Sequence, residues 1–296
     1  MIIDLSKLSD GFSSKLRVIS YFLTVIKIKK LKKELYIYEK KTIESPFLFT
    51  DLCLIKNFKI FKLKKKPKTN IVFTPYNDDL SLKKLKNENL ISSKNDAKFQ
   101  LISKLSYKNF EPTKKIKKNI NKLNLPNNFI GIHIRSTDRV ININNFLSKI
   151  QFPEMIFDFQ INSMIKNLKN FINLKTKIKN IFVCSDDKFY KEKVLKTLNK
   201  NFNIYSNNSF YKVNNFRQTN GKDFLTELFC LSKSQMIIST VGGAVPNTAL
   251  LISKKKIKFY KWTNIFNFFI FIKIFIIIIF YKKRIKSFLF NLFKFK

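Results

Sequence analysis

The chain has 296 residues and is 45% hydrophobic, which supplies a buried core and excludes a globally disordered protein. Its formal charge is +39, with Lys providing 53 of the 58 basic residues. That pattern fits lysines on solvated faces and argues against an Arg-rich nucleic-acid surface with interleaved aromatics. An anionic membrane or an anionic substrate stays compatible with it. Cys53, Cys184 and Cys230 contain no C-x-x-C pair, so they support neither a disulfide framework nor a zinc site and read as small core residues.

In chain order, residues 1–5 make a short apolar start and 6–11 a polar turn closed by Gly11. Asp4 and Asp10 interrupt this end, so no signal peptide is expected and a cytoplasmic catalytic body is. Leu16, Ile19, Leu23 and Ile26 repeat at helical spacing, and 34–38 alternates as a strand. The stretch from 41 to 125 is less regular: 71–74 reads as a strand, and the Lys/Asn-rich 82–98 as loop or exposed helix. Pro126-Asn-Asn marks a boundary.

Beyond it strands and helices alternate. Residues 129–134 read as a strand and 154–174 as a helix, with Phe157, Ile161, Ile165, Leu168 and Ile172 on one side. Strand 180–184 leads through Ser185-Asp-Asp into a helix ending at Leu198. A short strand at 203–205, a helix at 223–231 and a strand at 236–239 follow. A Gly242-Gly243 turn then opens a helix over 246–252, and 257–260 closes the series. This succession predicts an α/β fold with parallel, doubly wound sheets. Two Rossmann-like domains, 1–125 and 126–261, are expected to face each other across a cleft.

Residues 262–296 form a hydrophobic, basic tail. Ile and Phe dominate from 265 to 281, broken by Asn267 and Lys273, and Lys282, Lys283, Arg284 and Lys286 follow. About 17 residues is the lower limit for spanning a bilayer. A monotopic anchor, a spanning helix and a packed core helix all fit. Either of the first two would hold the enzyme at the inner face of the cytoplasmic membrane.

The most informative segment is 129–139. Gly, Arg and His together supply eleven residues of the chain, so nine positions should hold about a third of one; 131–139 holds Gly131, His133, Arg135 and Arg139. An apolar strand that ends in a cation and a carboxylate delivers polar groups where open α/β sheets bind ligands. Arg135 suits a diphosphate through its fixed fork of donors. His133 suits a ribose or base, and Asp138 is placed to orient Arg135 or pair with Arg139. An ion-paired strand end with a core histidine is the plain alternative. Asp186 and Asp187 serve equally as helix-capping groups or ligand contacts. Thr240, Gly242 and Gly243 form a strand-to-helix turn of the kind that cradles phosphate, a weak signal alone. No G-x-G-x-x-G or P-loop is present.

Together these segments resemble the fucosyltransferase superfamily, which includes α1,6-fucosyltransferases, rhizobial nodulation fucosyltransferases and protein O-fucosyltransferases. Residues 130–139 are similar to its His-x-Arg-x-x-Asp motif, 181–187 to its second motif, and 223–245 to its third. Gly11-Phe-Ser-Ser-Lys-Leu-Arg17 resembles its N-terminal turn. The resemblance implies a GT-B fold and metal-independent, inverting transfer from GDP-fucose to a glycan. It implies that Arg135 holds the donor β-phosphate and that His133 and Glu227 address guanine, while Gly11, Arg17 and Arg139 lie on the acceptor side. Four departures stand out. Ser136 replaces a second Arg, Gly242-Gly243 a Ser pair, Ile143 the glutamate base, and Ser13-Ser14 a Gly-Asn. Asp138 and Asp10 remain as candidate bases. A GDP-sugar donor, a glycan acceptor (lipid-linked if the tail holds the enzyme at a membrane) and an anionic membrane surface are the expected partners; no cofactor or metal is expected. The competing reading is a non-catalytic basic protein that binds anionic membrane or nucleic acid.

Overall fold

A computed structural model of the chain describes residues 1–6, 12–41, 47–68, 96–136, 152–207, 220–240 and 244–262. Strand β1 (Ile2–Asp4), helix α1 (Phe12–Ile28) and strand β2 (Glu34–Tyr38) open the fold. Alternation and the 3.6-residue period at these positions dictate those states. Leu16, Ile19, Leu23 and Ile26 are all buried, and α1 ends before Lys30, which takes a left-handed φ of 51°. A short helix α2 (Phe49–Leu52) leads into β3 (Cys53–Ile55) and β4 (Lys59–Lys62). Strands β1, β2 and β4 form a parallel three-stranded sheet, Ile2 opposite Tyr36 and Leu35 opposite Ile60. Helix α3 (Asp96–Ser106), a 3-10 turn, β5 (Phe110–Pro112) and α4 (Lys114–Lys122) follow, with β5 antiparallel to β3. The described part of the 82–98 stretch, from Asp96 on, is helical; its remainder and the expected strand at 71–74 lie outside the described residues.

The second sheet runs from β6 (Ile130–Ile134) through α5 (Phe152–Lys175), β7 (Asn180–Ser185), α6 (Lys188–Leu198) and β8 (Asn203–Ser206). It continues with α7 (Gly221–Leu231), β9 (Met236–Thr240), α8 (Ala244–Ile252) and β10 (Lys258–Trp262). All five strands are parallel, in the order β10-β9-β6-β7-β8. The chain starts in the middle, builds outward to β8, then crosses back to β9. The strand order therefore reverses between β6 and β9, where open α/β sheets leave a crevice at the carboxyl ends.

Both faces of this sheet are buried. Ile130, Ile132 and Ile134 pack with Ile161, Ile165, Leu168 and Ile172 of α5 and with Val194 and Leu198 of α6. The side chain of Phe157 lies outside the described residues. On the other face Phe129, Phe182, Cys184 and Ile237 join Leu228 and Leu231 of α7 and Ala249 of α8. This second core continues without a break into Phe12, Leu16, Phe49, Phe99 and Ile116 of the N-terminal half. Gly131 permits a close approach: a Cβ there would lie 2.5 Å from Leu231 Cδ2, so that side chain, or the helix α7 that carries it, would have to shift.

The sheet's last strand corrects one expectation. Trp262, placed by the sequence as the first residue of the tail, belongs instead to β10, opposite Thr240. Its ring packs edge-on against Phe171 at 5.5 Å and its carbonyl accepts from Gln160 Nε2 at 2.9 Å. The rest of the tail lies outside the described residues, and among those described no helix is long and apolar enough to cross a membrane.

Candidate active site

The reversal point brings three strand ends together. The Arg135 amide donates to Thr240 Oγ1 at 2.9 Å, which ties the exit of β6 to the end of β9. The next amide, of Ser136, donates to Asp186 Oδ1 at 2.9 Å, which ties the same exit to the end of β7. The second oxygen of Asp186 meets Arg135 Nη1, also at 2.9 Å. One carboxylate therefore fixes both the backbone and the guanidinium of the motif. Among the described residues Asp186 is a partner of Arg135; Asp138, offered by the sequence to orient Arg135 or to pair with Arg139, lies outside them. The Arg135 side chain keeps 27% of its surface exposed while that of Asp186 keeps 9%, so the cation is anchored from behind and presented at the sheet's edge.

Asp187 has a different job. It is the N-cap of α6, its Oδ1 accepting from the Tyr190 amide at 3.2 Å. His133 is buried in β6, in register with Cys184 on one side and Ser239 on the other. Because side chains alternate, it shares the α7 side of the sheet with Gly131.

A buried polar network adjoins this group. Glu227, one turn beyond Asp223 on α7, faces Lys191 of α6, Nζ to Oε1 4.0 Å, and both are nearly inaccessible. Lys191 Nζ also donates to the Asn207 carbonyl. The Asn207 side-chain amide donates to Asp223 Oδ1 at 2.9 Å, and Asn220 caps the helix by accepting from the Asp223 amide at 2.9 Å. Oδ2 of Asp223 is buried and makes no hydrogen bond among the described residues. Burial raises the Glu227 carboxyl to about 8; Lys191 opposes the rise, and Asp223 and Asp186 add to it. The thiol of Cys184 beside it is pushed well above its ordinary value, by burial first and Glu227 second. Arg135 and Lys191 thus stand among three carboxylates, Asp186, Asp223 and Glu227. Such a site has acceptor capacity to spare and suits a ligand that offers N–H donors as well as an anion.

Sequence reasoning missed Lys191, Asn207 and the polar role of Asp223. The available signal was that Lys191 occupies the apolar stripe of its helix, three residues before Val194 and seven before Leu198. It also missed a second buried pair on the other half. Lys15 Nζ lies 3.6 Å from Glu39 Oε2, and Glu39 accepts from the Phe49 and Thr50 amides at 2.7 and 2.9 Å, holding the start of α2. Burial lowers the Lys15 ammonium and Glu39 opposes that fall. Phe47, whose carbonyl accepts from Lys15, sets its ring against Gly221 at the first turn of α7, where no Cβ would fit. The N-terminal half thereby buttresses the helix that carries Glu227. Arg17 lies half-buried on α1 in that half. Gly11, Asp10, Asp138, Arg139, Ile143, Gly242 and Gly243 lie outside the described residues. Among the described residues a hollow of about 960 Å³ opens at the opposite, amino-terminal edge of the sheet, between Asn121, Pro126, Ser232 and Lys254, away from this chemistry.

No protein-family model and no curated protein sequence matches the chain. Solved structures do. NodZ α-1,6-fucosyltransferase soaked with GDP-fucose aligns at TM-score 0.51 and 13% identity, over 85% of this chain and 91% of that one. The same enzyme co-crystallised with GDP gives 0.52 at 10% identity over the same shares. A mutant of Arabidopsis thaliana FUT1 in complex with GDP gives 0.50 at 12% identity, over 88% of this chain and 70% of that one. At such identities the likeness is one of architecture: the chain has the fucosyltransferase-like fold, an α/β arrangement of parallel sheets of the GT-B type.

Proposed function

We propose that this protein is a glycosyltransferase that uses GDP-fucose and transfers fucose to a glycan acceptor, with inversion and without a metal ion. The observation that carries the reading is Arg135 held by Asp186 at the reversal point of the sheet. The structures it resembles have GDP or GDP-fucose bound, and a fixed guanidinium suits a diphosphate. In this reading an acceptor hydroxyl attacks the anomeric carbon from the face opposite GDP. The bond to the β-phosphate oxygen breaks, and Arg135 stabilises the charge gathering on the leaving diphosphate. The hydroxyl proton passes to a carboxylate, for which Asp138 and Asp10 are the candidates. Glu227 and His133 address the guanine, whose N1–H and 2-amino groups supply the donors that the buried carboxylates lack. The acceptor is a growing surface glycan, lipid-linked where the tail holds the enzyme at the inner leaflet.

A thermal-shift panel tests this. GDP and GDP-fucose are expected to stabilise the protein by roughly 2.7 kcal/mol at about 100 times their dissociation constants, UDP by much less, and EDTA to leave the shift intact. Equal shifts with GDP, UDP and inorganic phosphate would leave a generic anion site and overturn the assignment.

A further inference from the structure

Lys191 has no part in the chemistry above, yet it is one of the most deeply buried side chains of the molecule, 1% exposed. A lysine on a surface helix normally extends its ammonium to water. This one turns inward, to the Asn207 carbonyl and the Glu227 carboxylate. The groups facing Glu227 are Lys191 from α6, Asp223 and Cys230 from its own helix, and Asp186 and Cys184 from the end of β7. His133 stands next in register to Cys184. Among these described groups Lys191 is the cation set against Glu227, since Arg135 is engaged by Asp186. Asp223 and Asp186 oppose the ionisation of Glu227.

A guanine edge presents two N–H donors side by side, and only an ionised carboxylate accepts both. A protonated Glu227 would set a hydrogen against one of them. We propose that Lys191 is a positioning residue that eases the ionisation of Glu227, and so raises the fraction of the site able to take a guanine nucleotide near neutral pH. The assignment rests on the reading of Glu227 as the nucleobase acceptor. Burial still holds the carboxyl up at about 8 with Lys191 present, so the ionised form is already the minor one at neutral pH and loss of the cation cuts it further.

Lys191→Gln provides the test, because glutamine keeps a donor for the Asn207 carbonyl and removes the charge; Lys191→Arg keeps the charge. In the full-length protein the Glu227 carboxyl is followed by difference infrared spectroscopy from about pH 6 to about pH 9, its band identified by loss in Glu227→Gln. GDP and inorganic pyrophosphate binding are measured by calorimetry over the same range. In Lys191→Gln the midpoint is expected to move up by about one unit or more. GDP affinity should then fall about tenfold at neutral pH and recover as pH rises. Lys191→Arg should restore both, and pyrophosphate, which has no base to be read, should bind all variants alike. An unmoved midpoint, or a GDP loss of the same size at every pH, would overturn the proposal and reduce Lys191 to packing. If Glu227→Gln itself binds GDP as the wild type does, the reading of Glu227 fails, whatever Lys191 does to its titration.

Discussion

Arg135 and Glu227 show how much a single side chain is asked to do here. The planar fork whose Nη1 meets Asp186 Oδ2 cannot be reproduced by an ammonium. Arg135→Lys is therefore expected to behave almost like Arg135→Ala, with fucose transfer down roughly 10² or more, on the order of ~3 kcal/mol for one lost transition-state donor. Single-turnover release of GDP from GDP-fucose measures it, and near-normal turnover in Arg135→Lys would remove the phosphate role. Glu227 makes a prediction about folding. Its folded value of about 8 stands above its ordinary 4.5, so the folded chain holds a proton that the unfolded chain has released. Its contribution is thus complete below about pH 4.5 and is lost as pH rises through about 8. Glu227→Gln, which cannot ionise, should match the wild type in mild acid and become the more stable of the two in alkali. Denaturant titrations at about pH 5 and about pH 9 check the sign. A difference between the two proteins that is independent of pH would show that Glu227 is ionised throughout.

Elements depend on one another most visibly where β6 meets α7. Gly131 has no Cβ to hold Leu231 away, and the helix so seated carries Asp223 and Glu227. Gly131→Ala should cost about 1–3 kcal/mol through overpacking and weaken GDP binding by shifting α7. Leu231→Ala alone should cost about 2–5 kcal/mol through the cavity it leaves. In the double variant the new methyl enters the vacated space, so the sum should overshoot by about 0.5 kcal/mol or more; strict additivity in thermal melts would show that the contact is not the constraint. These elements were readable in the sequence to very different degrees. Strands β2 and β6 and the stripe of α5 follow from local period alone, because both faces of each element are set by neighbours a few residues away. The strand order, the Arg135–Asp186 pair, 51 residues apart, and the Lys191–Glu227 pair, 36 apart, have no local signature. A lysine bound for the interior looks like any other lysine in a chain that has 53 of them. The tie from the Arg135 amide to the Thr240 hydroxyl, across 105 residues, has no local signature either.

At the scale of the whole molecule, charge and core pull in different directions. The continuous core from α1 to α8 ties both halves into one folding unit, while +39 formal charges favour any anionic surface nearby. The tail combines the two properties, an Ile/Phe band and the cluster Lys282, Lys283, Arg284 and Lys286, each cation adding about 1 kcal/mol against an anionic leaflet. Because Trp262 completes β10 and packs on Phe171, a truncation must keep it. A chain ending at residue 262 is expected to melt as the full chain does and to bind GDP with unchanged affinity. It should fail to sediment with vesicles containing phosphatidylserine and transfer poorly to a membrane-borne acceptor. High salt should release the full chain only in part, since the apolar band is indifferent to screening. A monotopic anchor would leave the C-terminus protected from protease added outside intact spheroplasts, and a spanning helix would expose it. If instead the shortened chain unfolds and loses GDP, the tail is a core helix and the membrane assignment falls. Should it fold yet sediment with anionic vesicles as strongly as the full chain, the lysines of the folded body hold the membrane and the tail is not its anchor.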